Sequence, residues 1–203
     1  MKKGFFTLLL LTGLYLSSCQ KDTTVKPQTS ATLNSQATTV ATPALSHTTT
    51  SNVTTPAVDT VKGYMRVQLA ASATSTDNIL VAFNPASSAA FVKSEDAIYL
   101  QGFGAVSLSS LTSDGKACSI NTMPLTVSGR TVALNVSAKA NGLYTLKLLA
   151  LSSIPLTYGI WLKDRYTKDS LDFRNNNTYA FNIATKDTTS YGKNRFTIVL
   201  RKN

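Results

Sequence analysis

The sequence predicts an all-β fold, an antiparallel β-sandwich of about ten strands, and three observations carry that prediction. From about Lys62 onward the chain breaks into short runs of alternating apolar and polar residues, the period of a half-buried strand. Turn residues punctuate those runs at close intervals: Ser113-Asp-Gly115, Ser128-Gly129, Asn141-Gly142, Asn175-Asn-Asn177 and Tyr191-Gly-Lys-Asn194. No stretch of useful length carries a helical period, which leaves two layers of antiparallel strands as the architecture that buries one face of each run.

Taken in order, the runs fall at residues 64–71, 79–83, 98–102, 106–111, 118–121, 131–136, 143–151, 158–163, 177–183 and 195–200. The alternation is plainest near the end. In Asn177-Thr-Tyr-Ala-Phe-Asn-Ile183, Tyr179, Phe181 and Ile183 share one face while Ala180 and Asn182 share the other. Arg195-Phe-Thr-Ile-Val-Leu200 places Phe196, Ile198 and Leu200 together, and predicts a central closing strand packed against that first set. Residues 87–96 have room for one helical turn.

Upstream the composition changes. Of the 41 residues from Gln20 to Thr60, 17 are Ser or Thr, three are Pro and none is aromatic. Such a segment has too little apolar surface to offset its ordering entropy, so it is expected to be a disordered tether. Before it, Lys2 and Lys3 precede the apolar run Phe5 to Leu16, which ends in Leu16-Ser-Ser-Cys19. The run is too short to span a bilayer and has the layout of an export signal. The expected organisation is therefore a signal peptide at 1–18, a linker at 19–60 and a β-sandwich domain at 61–203.

Leu-Ser-Ser-Cys resembles the bacterial lipobox, in which the thiol is diacylated before cleavage. That resemblance implies lipidation of Cys19 as the first residue of the mature chain. The following Gln20-Lys-Asp22 is similar to the short Lys-plus-acid signal that sends lipoproteins of Bacteroidota to the outer face of the outer membrane. It implies a lipid-anchored, outward-facing protein at the cell outer membrane, with the membrane as a partner through the lipid.

A further resemblance lies in the last third. Tyr158-Gly-Ile-Trp-Leu-Lys-Asp-Arg-Tyr166, Asp169-Ser-Leu-Asp-Phe173, Asn177-Thr-Tyr-Ala-Phe181 and Asn194-Arg-Phe-Thr-Ile-Val199 occur in that order. They resemble the β-sandwich module found near the C-termini of large cell-surface proteins of Bacteroidota, with a looser match back to Lys62. The resemblance implies a non-catalytic accessory module and names no ligand. Exported proteins of that phylum are also O-glycosylated at Asp followed by Ser or Thr and a small or apolar residue. The match implies modification at Thr23, Thr60, Ser170 and Thr188.

Charge and cysteine content narrow the chemistry. The chain carries 20 basic and 10 acidic side chains, a formal +10. From Val61 onward, 16 basic residues face 8 acidic ones, so the folded part holds +8. This excess either attracts anionic lipid or polyanionic glycan, or is a set of dispersed lysines that solvate strand faces. Nucleic acid is not an expected partner of an exported lipoprotein. With Cys19 lipidated, Cys118 has no disulfide partner and is expected to be a buried, inert thiol. Asp164, Asp169 and Asp172 either hold a cation or, as the spacing favours, start turns. No phosphate loop, zinc spacing or nucleophile elbow occurs, and no cofactor is expected. Trp161 alternates away from Tyr158, Ile160 and Leu162. It lies either under a loop, against Tyr144 or Tyr166, or in the open as a platform for a sugar ring. The sequence thus predicts a monomeric, non-enzymatic structural or adhesive module that meets a surface glycan or another surface protein, with a glycan-binding accessory of carbohydrate uptake as the alternative.

Overall fold

The computed structural model describes residues 57–203. The signal peptide, Cys19, Thr23 and the tether up to residue 56 lie outside the described residues.

Among the described residues eleven strands form, ten of them at the alternating runs and one, at residues 169–172, outside them. In the first half they are β1 (Gly63–Ala70), β2 (Thr76–Phe83), β3 (Ala97–Ile98), β4 (Val106–Leu111), β5 (Ala117–Met123) and β6 (Arg130–Ala138). The second half adds β7 (Gly142–Ser152), β8 (Tyr158–Asp164), β9 (Asp169–Asp172), β10 (Thr178–Ile183) and β11 (Gly192–Lys202). A single 3₁₀ turn, Thr188–Ser190, is capped by the Asp187 carboxylate, which accepts from the Thr189 N–H.

The strands hydrogen-bond in one continuous path, β10-β7-β1-β2-β5-β4-β6-β11-β8-β9, with β3 added on β5. The path curls over, so that β10 at one end packs its side chains on β11 near the other. Phe181 and Phe196 meet edge to face at 4.7 Å, and Tyr179 and Phe196 at 6.2 Å. The two halves share one core. Met65, Val67 and Leu69 of β1 join Val132, Leu134 and Val136 of β6, Ile160 and Leu162 of β8, and Ile198 and Leu200 of β11. The last strand is central, between β6 and β8, as its alternation predicts.

The structure corrects several expectations. The sheet is mixed rather than purely antiparallel, because β2 and β5 run parallel, Leu80 beside Ile120 through Phe83 beside Met123. A parallel pair needs a long crossover, and residues 84–116 supply it. Residues 87–96 hold one helical turn at their end, where the Asp96 N–H donates to Val92 O at 2.9 Å. The Asp96 carboxylate accepts the Val92 N–H at 2.7 Å and so satisfies the donor at the start of that turn. The run at 98–102 contributes only Ala97–Ile98 to the sheet, and Leu100 and Phe103 stand in solvent beyond it. Residues 58 and 59 also contact the strands. Val58 bridges Thr126, the Asp59 N–H donates to Leu125 O at 2.7 Å, and the Asp59 carboxylate accepts the Tyr158 hydroxyl at 2.6 Å.

Candidate functional site

The local event that shapes the most featured surface is a bulge in β11. Gly192 pairs with Val136 and Phe196 with Leu134, so four steps along β11 match two along β6. Such a bulge re-aims side chains, and its effect here is specific. Arg195 and Phe196, consecutive in sequence, both turn inward, while Lys193 and Asn194 are pushed out to solvent. Gly192 takes φ +90°, a left-handed conformation that favours glycine.

Arg195 turned inward meets Asp164, the last inward position of β8. Both side chains are 1 % exposed, and the guanidinium donates from Nε at 3.0 Å and from a terminal nitrogen at 2.8 Å. Another terminal nitrogen donates to Asn182 O at 2.7 Å and to Ser190 O. Three rings surround the cation, Tyr166 at 4.9 Å, Phe181 at 4.8 Å and Phe196 at 4.7 Å. Burial pushes the Asp164 carboxyl up, but the Arg195 hydrogen bonds, the Tyr166 N–H and the Arg195 charge outweigh it and hold the group below the ordinary carboxylate range.

Around this buried pair the surface opens into two adjoining hollows. One, about 440 Å³, lies between Arg165 and Tyr166 after β8, the 3₁₀ turn, and residues 191–195. The other, about 360 Å³, is lined by Tyr99, Gln101, Ser107, Asn135 and Ser137. Tyr191 and Gly192 border both, which makes a continuous groove with a tyrosine at its middle. Tyr166 is held at one end by Asp187. The nearby Asp187 carboxylate raises the Tyr166 phenol above the ordinary value. Asp187 itself is lowered by the Thr189 hydroxyl and N–H and by Tyr166.

Trp161 is the candidate residue for ligand contact. It points outward from β8, between Asp172 of β9 and Val199 of β11, and is 40 % exposed. No loop of the kind considered covers it: Tyr144 is turned into the core against Phe181, and Tyr166 lies over Arg195. Its indole lies across Gly159, where an added β-carbon would stand 3.1 Å from Nε1.

The remaining candidates separate. Asp164, Asp169 and Asp172 do not converge. Asp169 accepts the Ser170 N–H at 2.7 Å, and Asp172 accepts the Arg174 N–H at 2.9 Å and the Asn175 side-chain amide at 2.7 Å. Asp172 and Asp164 each accept the N–H two residues on and start turns, Asp164 while also pairing with Arg195, and Asp169 opens β9. Thr60, Ser170 and Thr188 are all exposed. Cys118 is buried, and burial, then the charges of Asp96 and Asp114, push its thiol up to about 11.

Comparison with protein-family models, with curated proteins and with solved structures found no match to this chain. The chemistry available is therefore read from these residues alone. Planar tyrosines, amides and hydroxyls, with cations at one end, equip the groove to bind by stacking and hydrogen bonding.

Proposed function

We propose that the chain is a lipid-anchored, surface-exposed, non-catalytic β-sandwich module with a structural or adhesive role. One observation carries this reading: the domain commits its aspartates to its own scaffold and leaves its lysines and several large apolar side chains exposed. Asp77 accepts the Tyr99 hydroxyl and the Leu108 N–H, both at 2.8 Å. Asp96 accepts the N–H groups of Val92 and Thr122, and Asp114 the N–H of Phe91 at 3.0 Å. Carboxylates that accept hydrogen bonds from the backbone in this way fix distant segments to one another, which suits a scaffold. Phe103, fully exposed, and Leu100, 84 % exposed, meanwhile face solvent beside Lys139, whose ammonium donates to Phe103 O at 2.8 Å. Exposed apolar tips on a basic body suit contact with another surface.

The test is in cells. A palmitate analogue is expected to label the wild type and not Cys19→Ala, and protease added to intact cells is expected to shed the domain. Equal labelling of both chains removes the anchor, and full protection from protease removes the outward orientation.

A second reading, a glycan-binding lipoprotein accessory to carbohydrate uptake, is favoured by the open indole of Trp161 beside a residue without a side chain. Trp161 is the only tryptophan in the chain, so a stacked sugar ring is expected to shift its emission. Emission that no oligosaccharide moves removes Trp161 as the platform.

A further inference from the structure

We infer that the groove at the β11 bulge is a binding site for an acidic oligosaccharide, one bearing uronate or sulfate groups. The inference rests on the second reading above, that the module binds glycan, and places the contact away from Trp161.

Four features of the groove converge on that ligand. The first is its length and plan. The two hollows, about 440 and 360 Å³, each fall within the range of small-ligand sites and join side by side. A run of linked rings fits such a trough better than one compact molecule. The second is the spacing of the aromatics: Tyr99 lines one hollow, Tyr166 the other, and Tyr191 both. A tyrosine offers an apolar face to the C–H face of a pyranose, and the Tyr99 hydroxyl, given to Asp77, holds its ring in place.

The third is unspent hydrogen-bonding capacity. Among the described residues, the side chains of Gln101, Asn135 and Asn194 make no hydrogen bond within the protein, although each lines the groove. Amides that bind nothing internally are free to bind ring hydroxyls, donating and accepting at once. At Gly192 the backbone is bare, and a β-carbon there would meet nothing within 4 Å, so a ligand can approach the main chain.

The fourth is charge, and it selects the acidic class. Arg165 and Lys193 line the hollow around Tyr166, both exposed, and neither forms an ion pair among the described residues. The nearby acids are already engaged, Asp164 by Arg195 and Asp187 by Thr189 and Tyr166. A carboxylate or sulfate laid between Arg165 and Lys193 gains charge-assisted hydrogen bonds that a neutral sugar lacks.

The test is calorimetric titration of the full chain in mild detergent with oligogalacturonate and with sulfated dextran oligomers. Neutral malto-oligosaccharide and poly-glutamate serve as comparison ligands. The wild type is expected to bind one or both acidic saccharides. Arg165→Gln/Lys193→Gln, whose side chains make no bonds to the fold, is expected to lose about tenfold or more in affinity with an unchanged melting curve. Tyr191→Ala is expected to weaken binding too, and the charge pair keeps the test sharp if that variant melts early. Poly-glutamate that binds as tightly as the saccharides overturns the inference in favour of a peptide or simple polyanion. Saccharide binding abolished by Trp161→Ala and untouched by the groove variants overturns the groove while glycan binding stands. A wild type that binds no saccharide, acidic or neutral, overturns both.

Discussion

Replacing Asp164 by Asn tests the internal organisation of the domain at its most charged point. The wild-type carboxylate takes three contacts from the Arg195 guanidinium, at 2.8, 3.0 and 3.2 Å. It also accepts the Tyr166 N–H at 2.9 Å and the Tyr179 hydroxyl at 3.3 Å. An Asn side chain keeps the shape but has one acceptor oxygen where four donors converge, and its own NH₂ faces donors. More important, the guanidinium stays buried with no counter-charge. Breaking a buried pair from one side typically costs about 3–5 kcal/mol, a large part of the ~5–15 kcal/mol that holds a single domain. The three rings around Arg195 offset part of this, which points to the lower end of the range.

The assay is urea unfolding followed by far-ultraviolet circular dichroism, near neutral pH and again toward pH 3. Because the folded-state carboxyl titrates below its unfolded value of about 3.9, its contribution is present above that pH and is lost as pH falls through the folded value. The difference between wild type and Asp164→Asn is therefore expected to shrink on acidification. A double variant, Asp164→Leu/Arg195→Met, removes both charges and is expected to be less destabilised than Asp164→Asn. A cost for Asp164→Asn below about 1 kcal/mol, or a difference that does not narrow in acid, would refute the account of a buried staple.

Three further outcomes follow from the same geometry. Phe196→Ala, at a fully buried position against Phe181, is expected to cost about 3–5 kcal/mol, and Thr197→Ala, on the outer face, under 1; parallel thermal melts decide it, and equal mild effects would mean that β11 is not central. Burial, then the Asp59 carboxylate, push the Tyr158 phenol up to about 12. Its contribution is complete below about pH 10 and lost as pH rises toward 12, so wild type is expected to lose stability faster than Tyr158→Phe across that window in alkaline unfolding. Both polar atoms of the fully buried Asn121 side chain lack a hydrogen-bond partner among the described residues. Asn121→Leu is expected to raise stability by about 1 kcal/mol in urea titration, and a loss of that size would show that the amide is satisfied in solution.

What the sequence disclosed and what it hid divide by range along the chain. Period-two alternation located ten of the strands and named the inward residues of β10 and β11, because each strand's burial is written into its own side chains. Trp161 was placed on the outer face by the same rule. β9, Asp169-Ser-Leu-Asp172, escaped because it is short, polar and only half-buried, and its pairing with β8 is carried by the backbone. The parallel neighbours β2 and β5 escaped for a different reason: strand order depends on contacts between distant segments, which alternation does not encode. Asp164 and Arg195 are 31 positions apart, so local spacing grouped Asp164 with Asp169 and Asp172 and read Arg195 as the plain start of a strand. Tyr191-Gly-Lys-Asn194 has the composition of a turn and was read as one. The chain there keeps pairing with β6 while carrying two extra residues, and a bulge and a turn ask for the same residue types.

That bulge links the stability of the domain to the shape of its groove. Arg195 faces inward only because the bulge breaks the alternation. Once inside, it binds the ends of three elements: Asp164 of β8, Asn182 O of β10 and Ser190 O of the 3₁₀ turn. Those ends continue into the walls of the groove, through Arg165 and Tyr166 on one side and Thr188 and Thr189 on the other. The Arg165 N–H donates to Arg195 O at 2.9 Å, which fixes that wall to the bulged strand as well. A buried ion pair is weak support for net stability when set against an apolar alternative of the same shape. It does, however, demand one geometry, since all three guanidinium nitrogens are engaged and the planar fork tolerates little rotation. The guanidinium therefore acts as the common fastening for segments that sequence places far apart. The open face of the same bulge is left with the side chains, Lys193 and Asn194, that reach into solvent.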